Sequence, residues 1–149
     1  MLYVECYADE AVAKVLGVPS RSIRHVHGKG NIENRLRRLE AGTGLMDEDI
    51  SGFQPRDYRP TDQVGNLLLL THATTATKRI VLIRPRLEEW LIARATVHNL
   101  KLADFGLPDS PDRLHSIPRY DRKPKFPDFL QRLMQVDPEV QRLGKWIAS

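Results

Sequence analysis

Four carboxylates of this chain follow apolar, strand-like segments, and their chemistry depends on whether those segments bring them together. The densest group is Asp47-Glu48-Asp49, which runs straight on from Leu45-Met46 and gives way to Gly52. An apolar strand that delivers acids to its tip places them in the crevice beyond the carboxyl ends of a parallel sheet, where α/β proteins bind ligands. Asp47 and Asp49 are two residues apart, so continued strand geometry would turn both to one side. Neighbouring carboxylates repel, and a hard divalent cation with oxygen ligands relieves the repulsion. Glu5 stands in the same relation to Leu2-Tyr3-Val4, and Glu88 lies just past the apolar run ending at Ile83. Taken singly, Glu5 and Glu88 are ordinary acids at helix N-termini, favoured by the helix dipole. Together at one sheet edge they would hold one or two Mg²⁺ or Mn²⁺ ions, which activate water and neutralise charge on a transferring phosphoryl group.

The elements that must position these acids follow from the spacing of apolar residues. Leu2–Val4 predicts a short first strand, and Tyr7 to Leu16 a helix with Ala11, Val12, Val15 and Leu16 on one face. Gly17 and Pro19 end that helix. Ile23 to His27 alternates as a second strand, Gly28-Lys29-Gly30-Asn31 reads as a tight turn, and Ile32 to Ala41 as a basic helix. Strand, helix, strand, helix, strand, with short glycine-marked links, predicts an α/β fold: a Rossmann-like, mostly parallel sheet of four or five strands flanked by helices. Gly52 to Gly65 is polar and turn-rich and reads as a loop over the acidic site. Four leucines at 67–70 predict a central strand buried on both faces, and Arg79 to Ile83 another strand. Pro85 would open the following helix in the first-turn position proline tolerates. Residues 1–99 thus form the α/β part. Residues 100–149 form an extension, a proline-rich loop and two amphipathic helices (Phe126 to Met134, Pro138 to Ile147) packed on the same domain.

Composition narrows the classes. A chain of 149 residues with 41% hydrophobic and 28% charged residues can bury a core and is not disordered. No apolar run approaches bilayer length, so no membrane partner is expected. The single cysteine, Cys6, excludes an internal disulfide framework, and the opening residues carry no targeting leader, so a cytoplasmic location is expected. Cys6 lies among acids that disfavour a thiolate and is not read as a nucleophile. The net charge of +4 suits a polyanionic partner. Lys29, Arg35, Arg37 and Arg38 would engage phosphates while the acids serve the metal. Gly28-Lys29-Gly30 lacks the spacing of a P-loop, and His25 with His27 lacks the further ligands of a zinc site. No nucleophile elbow, dinucleotide fingerprint or paired-cysteine motif is present.

With Glu5 after the first strand, Asp9 in the following helix and a later Leu45-Met46-Asp47-Glu48-Asp49, the chain resembles the topoisomerase–primase (TOPRIM) domain. The Gly28-Lys29-Gly30-Asn31 segment and Pro85-Arg86-Leu87-Glu88-Glu89-Trp90-Leu91 are similar to compact TOPRIM proteins of the OLD-nuclease type, several of which belong to phage-defence gene sets. The resemblance covers residues 1–95. It implies that Glu5 is a general acid/base or metal-ligand glutamate, that Asp47 and Asp49 are metal ligands, and that Asp9 and Glu88 are supporting acids. Cys6 stands where many relatives carry glycine, and the chain lacks the ATPase domain of larger OLD-type nucleases, which implies a separate ATPase partner or lost activity. The expected function is Mg²⁺- or Mn²⁺-dependent nicking or cutting of nucleic acid, DNA before RNA. The alternative is a non-catalytic TOPRIM-like subunit that docks an ATPase or nucleic acid. A receiver-like phosphoacceptor ranks last, because Lys78 precedes its strand instead of following it.

Overall fold

The computed structural model describes residues 1–27, 29–49 and 52–148. The described residues form one six-stranded sheet from β1 (Leu2–Val4), β2 (Ile23–His25), β3 (Gly42–Asp47), β4 (Tyr58–Val64), β5 (Leu67–His72) and β6 (Lys78–Ile83). Its order is β2-β1-β3-β6-β5-β4. The first three strands are joined through α1 (Tyr7–Val15) and α2 (Lys29–Arg37), and such crossovers make neighbours parallel. β6 is parallel to β3, whereas β5 runs antiparallel to β6 and β4 antiparallel to β5. The sheet is therefore mixed, with more strands than the expected four or five.

β4 accounts for much of that difference. The segment read as a loop is an edge strand in which only Tyr58 is buried. Its residues show no apolar alternation because one edge and most side chains face water. Pro60, which has no N–H to donate, sits at a register shift beside Asp62, where an edge strand tolerates it. Gly65, in the left-handed region at φ 55°, turns β4 into β5.

The chain leaves β1 to one side for β2, then returns across it to β3. Right-handed crossovers in opposite directions put α1 and α2 on opposite faces of the sheet. Strand alternation divides the core accordingly. Leu2, Val4, Leu45, Leu67, Leu69, Val81 and Ile83 face α1 and the later helices, whereas Tyr3, Met46, Leu68, Leu70, Ile80 and Leu82 face the side of α2. This two-sided burial explains why residues 67–70 carry no polar side chain. On the α2 face, Ile32 comes so close to the sheet that a Cβ on Gly44 would lie 2.6 Å from its Cγ2.

Two starting points differ from expectation. Lys29, Gly30 and Asn31 of the expected tight turn already belong to α2, and Gly28 lies outside the described residues. Helix α3 (Leu87–Val97) begins after Arg86, not at Pro85. The Pro85 carbonyl instead accepts the Asp49 N–H at 2.8 Å, tying it to the end of β3.

The extension folds as α4 (Pro111–Ser116), α5 (Phe126–Val136) and α6 (Pro138–Ala148). Phe126, Phe129, Leu133, Val140, Leu143 and Trp146 enter the same core as α1. Asp137, fully buried, anchors α6 to α3: its Oδ1 accepts from Arg94 Nε at 2.9 Å and pairs with His98 Nε2 at 2.8 Å, and its Oδ2 accepts the Val140 N–H at 3.0 Å. Glu139 pairs with Arg94 and accepts the Asn66 N–H at 2.9 Å, fastening the β4–β5 turn to the same place. Among the described residues no helix is long and apolar enough to cross a membrane.

Candidate active site

The reversal of chain direction at β1 makes the β1–β3 junction the switch point of the sheet, where the connections diverge and leave a crevice. Glu5 lies one residue beyond β1 and Asp47 is the last residue of β3. The Asp47 N–H donates to Glu5 Oε1 at 2.9 Å, and Asp47 Oδ1 accepts the Leu87 N–H at 3.1 Å from the first residue of α3. One carboxylate pair thus joins the ends of two strands to a helix N-terminus, where the helix dipole favours negative charge.

The acidic triplet divides by direction. Glu48 turns away from the crevice and is buried in an ion pair with Arg84, Oε2 to Nε 2.8 Å. Asp49 is exposed and borders the same cavity as Asp47, but not by continued strand geometry: β3 ends at Asp47, and Asp49 adopts φ 56°. A left-handed residue, which aspartate tolerates better than most, aims it there.

Behind the cavity lies Asp9, carried by the first turn of α1 and completely buried. Neither of its carboxylate oxygens has a hydrogen-bond partner. Burial pushes its pKa up to about 8, with the charges of Glu5 and then Glu88 adding to the shift. Burial likewise drives Asp47 well above the usual carboxylate range, helped by Asp9, Glu5, Glu88 and Asp49 in turn. Burial and the Asp9 charge also hold the Cys6 thiol up, while its Sγ accepts the Asp9 N–H at 3.5 Å as the N-cap of α1. A thiol so placed is a capping group, not a nucleophile.

Glu88, 4% exposed, comes from the first turn of α3 and pairs through Oε1 with His115 Nδ1. Glu5, Asp47, Asp49, Glu88, His115 and Arg119 are among the residues bordering a cavity of about 380 Å³. His115 and Arg119 come from the extension, in and just after α4, and sequence reading missed both. Their proline-rich surroundings carry no periodic signal, and nothing in their spacing relates them to β1 or β3.

Could these residues hold a divalent cation? The donors facing the cavity are carboxylate oxygens, which suit Mg²⁺ or Mn²⁺ and not a thiolate-seeking metal. A fully buried carboxyl without a partner, held protonated by burial and like charges, would ionise readily beside a bound cation. Glu5, Asp47 and Asp49 are placed to supply ligands, while one oxygen of Glu88 is engaged by His115. Among the described residues no three such side chains are already set as a metal-holding group.

The basic candidates do not gather at the acids. Arg35 and Arg38 border a separate cavity of about 610 Å³ with His25 and His27. Arg37 lies on another side of α2, where its Nη1 donates to Asn34 Oδ1 at 3.0 Å and it borders a small recess with Tyr58. The side chain of Lys29 lies outside the described residues. Compared with known proteins, the chain matches no family model, no curated protein and no solved structure.

Proposed function

We propose that this chain is a TOPRIM-like, Mg²⁺- or Mn²⁺-dependent nuclease that hydrolyses phosphodiester bonds in nucleic acid, DNA before RNA. The observation that carries this reading is the convergence of Glu5, Asp47, Asp49 and Glu88 at the sheet's switch point, backed by the buried, partnerless carboxylate of Asp9. Glu5, Asp47 and Asp49 would hold the cation, which supplies neutralisation of phosphoryl charge and acidification of water. Asp9, behind them, would ionise once the cation is bound and strengthen its hold without touching substrate. Arg35 and Arg38 would neutralise backbone phosphates away from the acids, so that a polyanion is drawn to a pocket that alone would repel it. Glu88 holds the imidazole of His115 through Nδ1 at the border of the cavity.

The test is calorimetric titration of Mn²⁺ into the protein and into Asp47→Ala, with folding checked by circular dichroism, followed by cleavage assays on plasmid and single-stranded substrates. Saturable binding and cleavage that are both lost in a folded variant support the proposal. Cleavage retained by the folded variant refutes the site. A second reading, kept beside the first, is a non-catalytic subunit docking an ATPase or nucleic acid; among the described residues no three-ligand group is preset. It predicts partner binding indifferent to the loss of Asp47 and Asp49.

A further inference from the structure

The acid cavity and the arginine groove share a wall made of stacked planar groups. Tyr7 borders the first and His25 the second, and their rings stack with centroids 4.4 Å apart and planes 16° from parallel. Arg119 lies over the Tyr7 ring at 3.7 Å from its centroid. Asp121 fixes the plane of that guanidinium, accepting from Nε and Nη2 at 3.0 Å each. At the other end His27 meets His25 edge-on at 4.6 Å. The result is a pile in the order Arg119, Tyr7, His25, His27, running from the acids to Arg35 and Arg38. The Tyr7 ring, though the residue is 42% exposed, has its faces occupied by Arg119 and His25, and at the two ends His27 is exposed and the Arg119 side chain is 35% exposed.

An open histidine ring and an open guanidinium plane are both surfaces on which an unpaired base stacks. Two arginines beside one end supply charge for the phosphates of the same strand. Paired bases are hidden inside a duplex and could not reach either end. Resting on the nuclease reading, we infer that this pile selects single-stranded nucleic acid, seating one base on His27 near Arg35 and Arg38 and another on Arg119 at the mouth of the acid cavity.

The test is fluorescence anisotropy in EDTA, which reads binding without cleavage, using a short labelled single-stranded DNA and the same sequence as a duplex. The single strand is expected to bind about tenfold tighter than the duplex. His27→Ala, an exposed substitution, should weaken single-strand binding about tenfold, the order of one lost base stack, and leave duplex binding unchanged. Arg35→Ala with Arg38→Ala should reduce the slope of log affinity against log salt by about 1.4, or ~0.7 per phosphate contact on a single strand. Equal affinity for both forms, or wild-type binding by folded His27→Ala, overturns the inference. Plasmid cleavage in Mn²⁺, measured separately, reads the acid site. Cleavage without strand preference overturns the pile's role and leaves the nuclease standing, and strand preference without cleavage does the reverse.

Discussion

Replacing Asp9 by asparagine should make the cation-free protein more stable at neutral pH, against the usual direction for a substitution in a core. Asp9 is completely buried, its oxygens have no hydrogen-bond partner, and its pKa rises from 3.8 to about 8. A carboxyl raised in the folded state keeps its proton there while the unfolded chain loses it. Stability is therefore greatest below the unfolded value and falls as pH climbs towards the folded one, by about 1.36 kcal/mol per unit. At about pH 7 the gap is roughly three units, an upper bound of about 4 kcal/mol. Asparagine has the shape of the neutral acid and no charge to lose on folding, so a gain of about 2–4 kcal/mol is expected, or roughly 5–15 °C in Tm for a chain of this size. The same change should reduce the stabilisation that Mn²⁺ gives the wild type, because asparagine cannot ionise in the field of a bound cation. The assay is thermal unfolding by circular dichroism from about pH 5 to about pH 8, in EDTA and in Mn²⁺. An Asp9→Asn protein less stable than wild type in EDTA at neutral pH would refute the reasoning, as would wild-type stability that does not change with pH over that range.

Glu48→Ala separates the members of the acidic triplet: it should lower stability by about 1–3 kcal/mol by stranding Arg84, yet bind Mn²⁺ with wild-type affinity in calorimetry. Asp137→Ala should cost about 3–5 kcal/mol in urea unfolding, because Arg94 and His98 lose a buried partner. Burial raises the Asp137 pKa, but hydrogen bonds from Arg94, His98 and Val140 outweigh it and hold the group below its ordinary value. Its stabilisation is therefore present above about pH 4 and lost as pH falls through the folded value, an acid transition that Trp146 fluorescence should follow and Asp137→Asn should remove. Gly44→Ala should cost about 1–3 kcal/mol by driving a methyl group into Ile32. Ile32→Ala should relieve part of that cost, so a double-mutant cycle measured by urea unfolding should be non-additive.

The legible parts of this protein are those in which residues close in sequence do the work. The short apolar runs at 2–4, 45–46 and 79–83 and the helical stripes of α1, α5 and α6 give the α/β class directly, because burial selects side chains over lengths and periods set by the backbone itself. The placement of Glu5 and Asp47 at strand ends is legible for the same reason. β4 is not, since an edge strand with water on one side needs no apolar alternation and gets its hydrogen bonds from β5. The spacing put Asp47 and Asp49 on one side, but not the means: β3 ends at Asp47, and a left-handed φ at Asp49, not continued strand, brings it to the cavity while Arg84 holds Glu48.

By itself, then, the sequence determined the element types outside β4 and the start of α2, the two-sided burial of the leucine strand and the positions of acids at strand ends. Only the tertiary structure decided that β1 and β3 are neighbours at a switch point, that Asp9 is sealed behind them without a partner, and that His115 and Arg119 close the cavity from a proline-rich segment. Strand order and the closing of a site by distant chain are fixed by which surfaces bury each other in three dimensions. No local preference of the residues concerned encodes that choice.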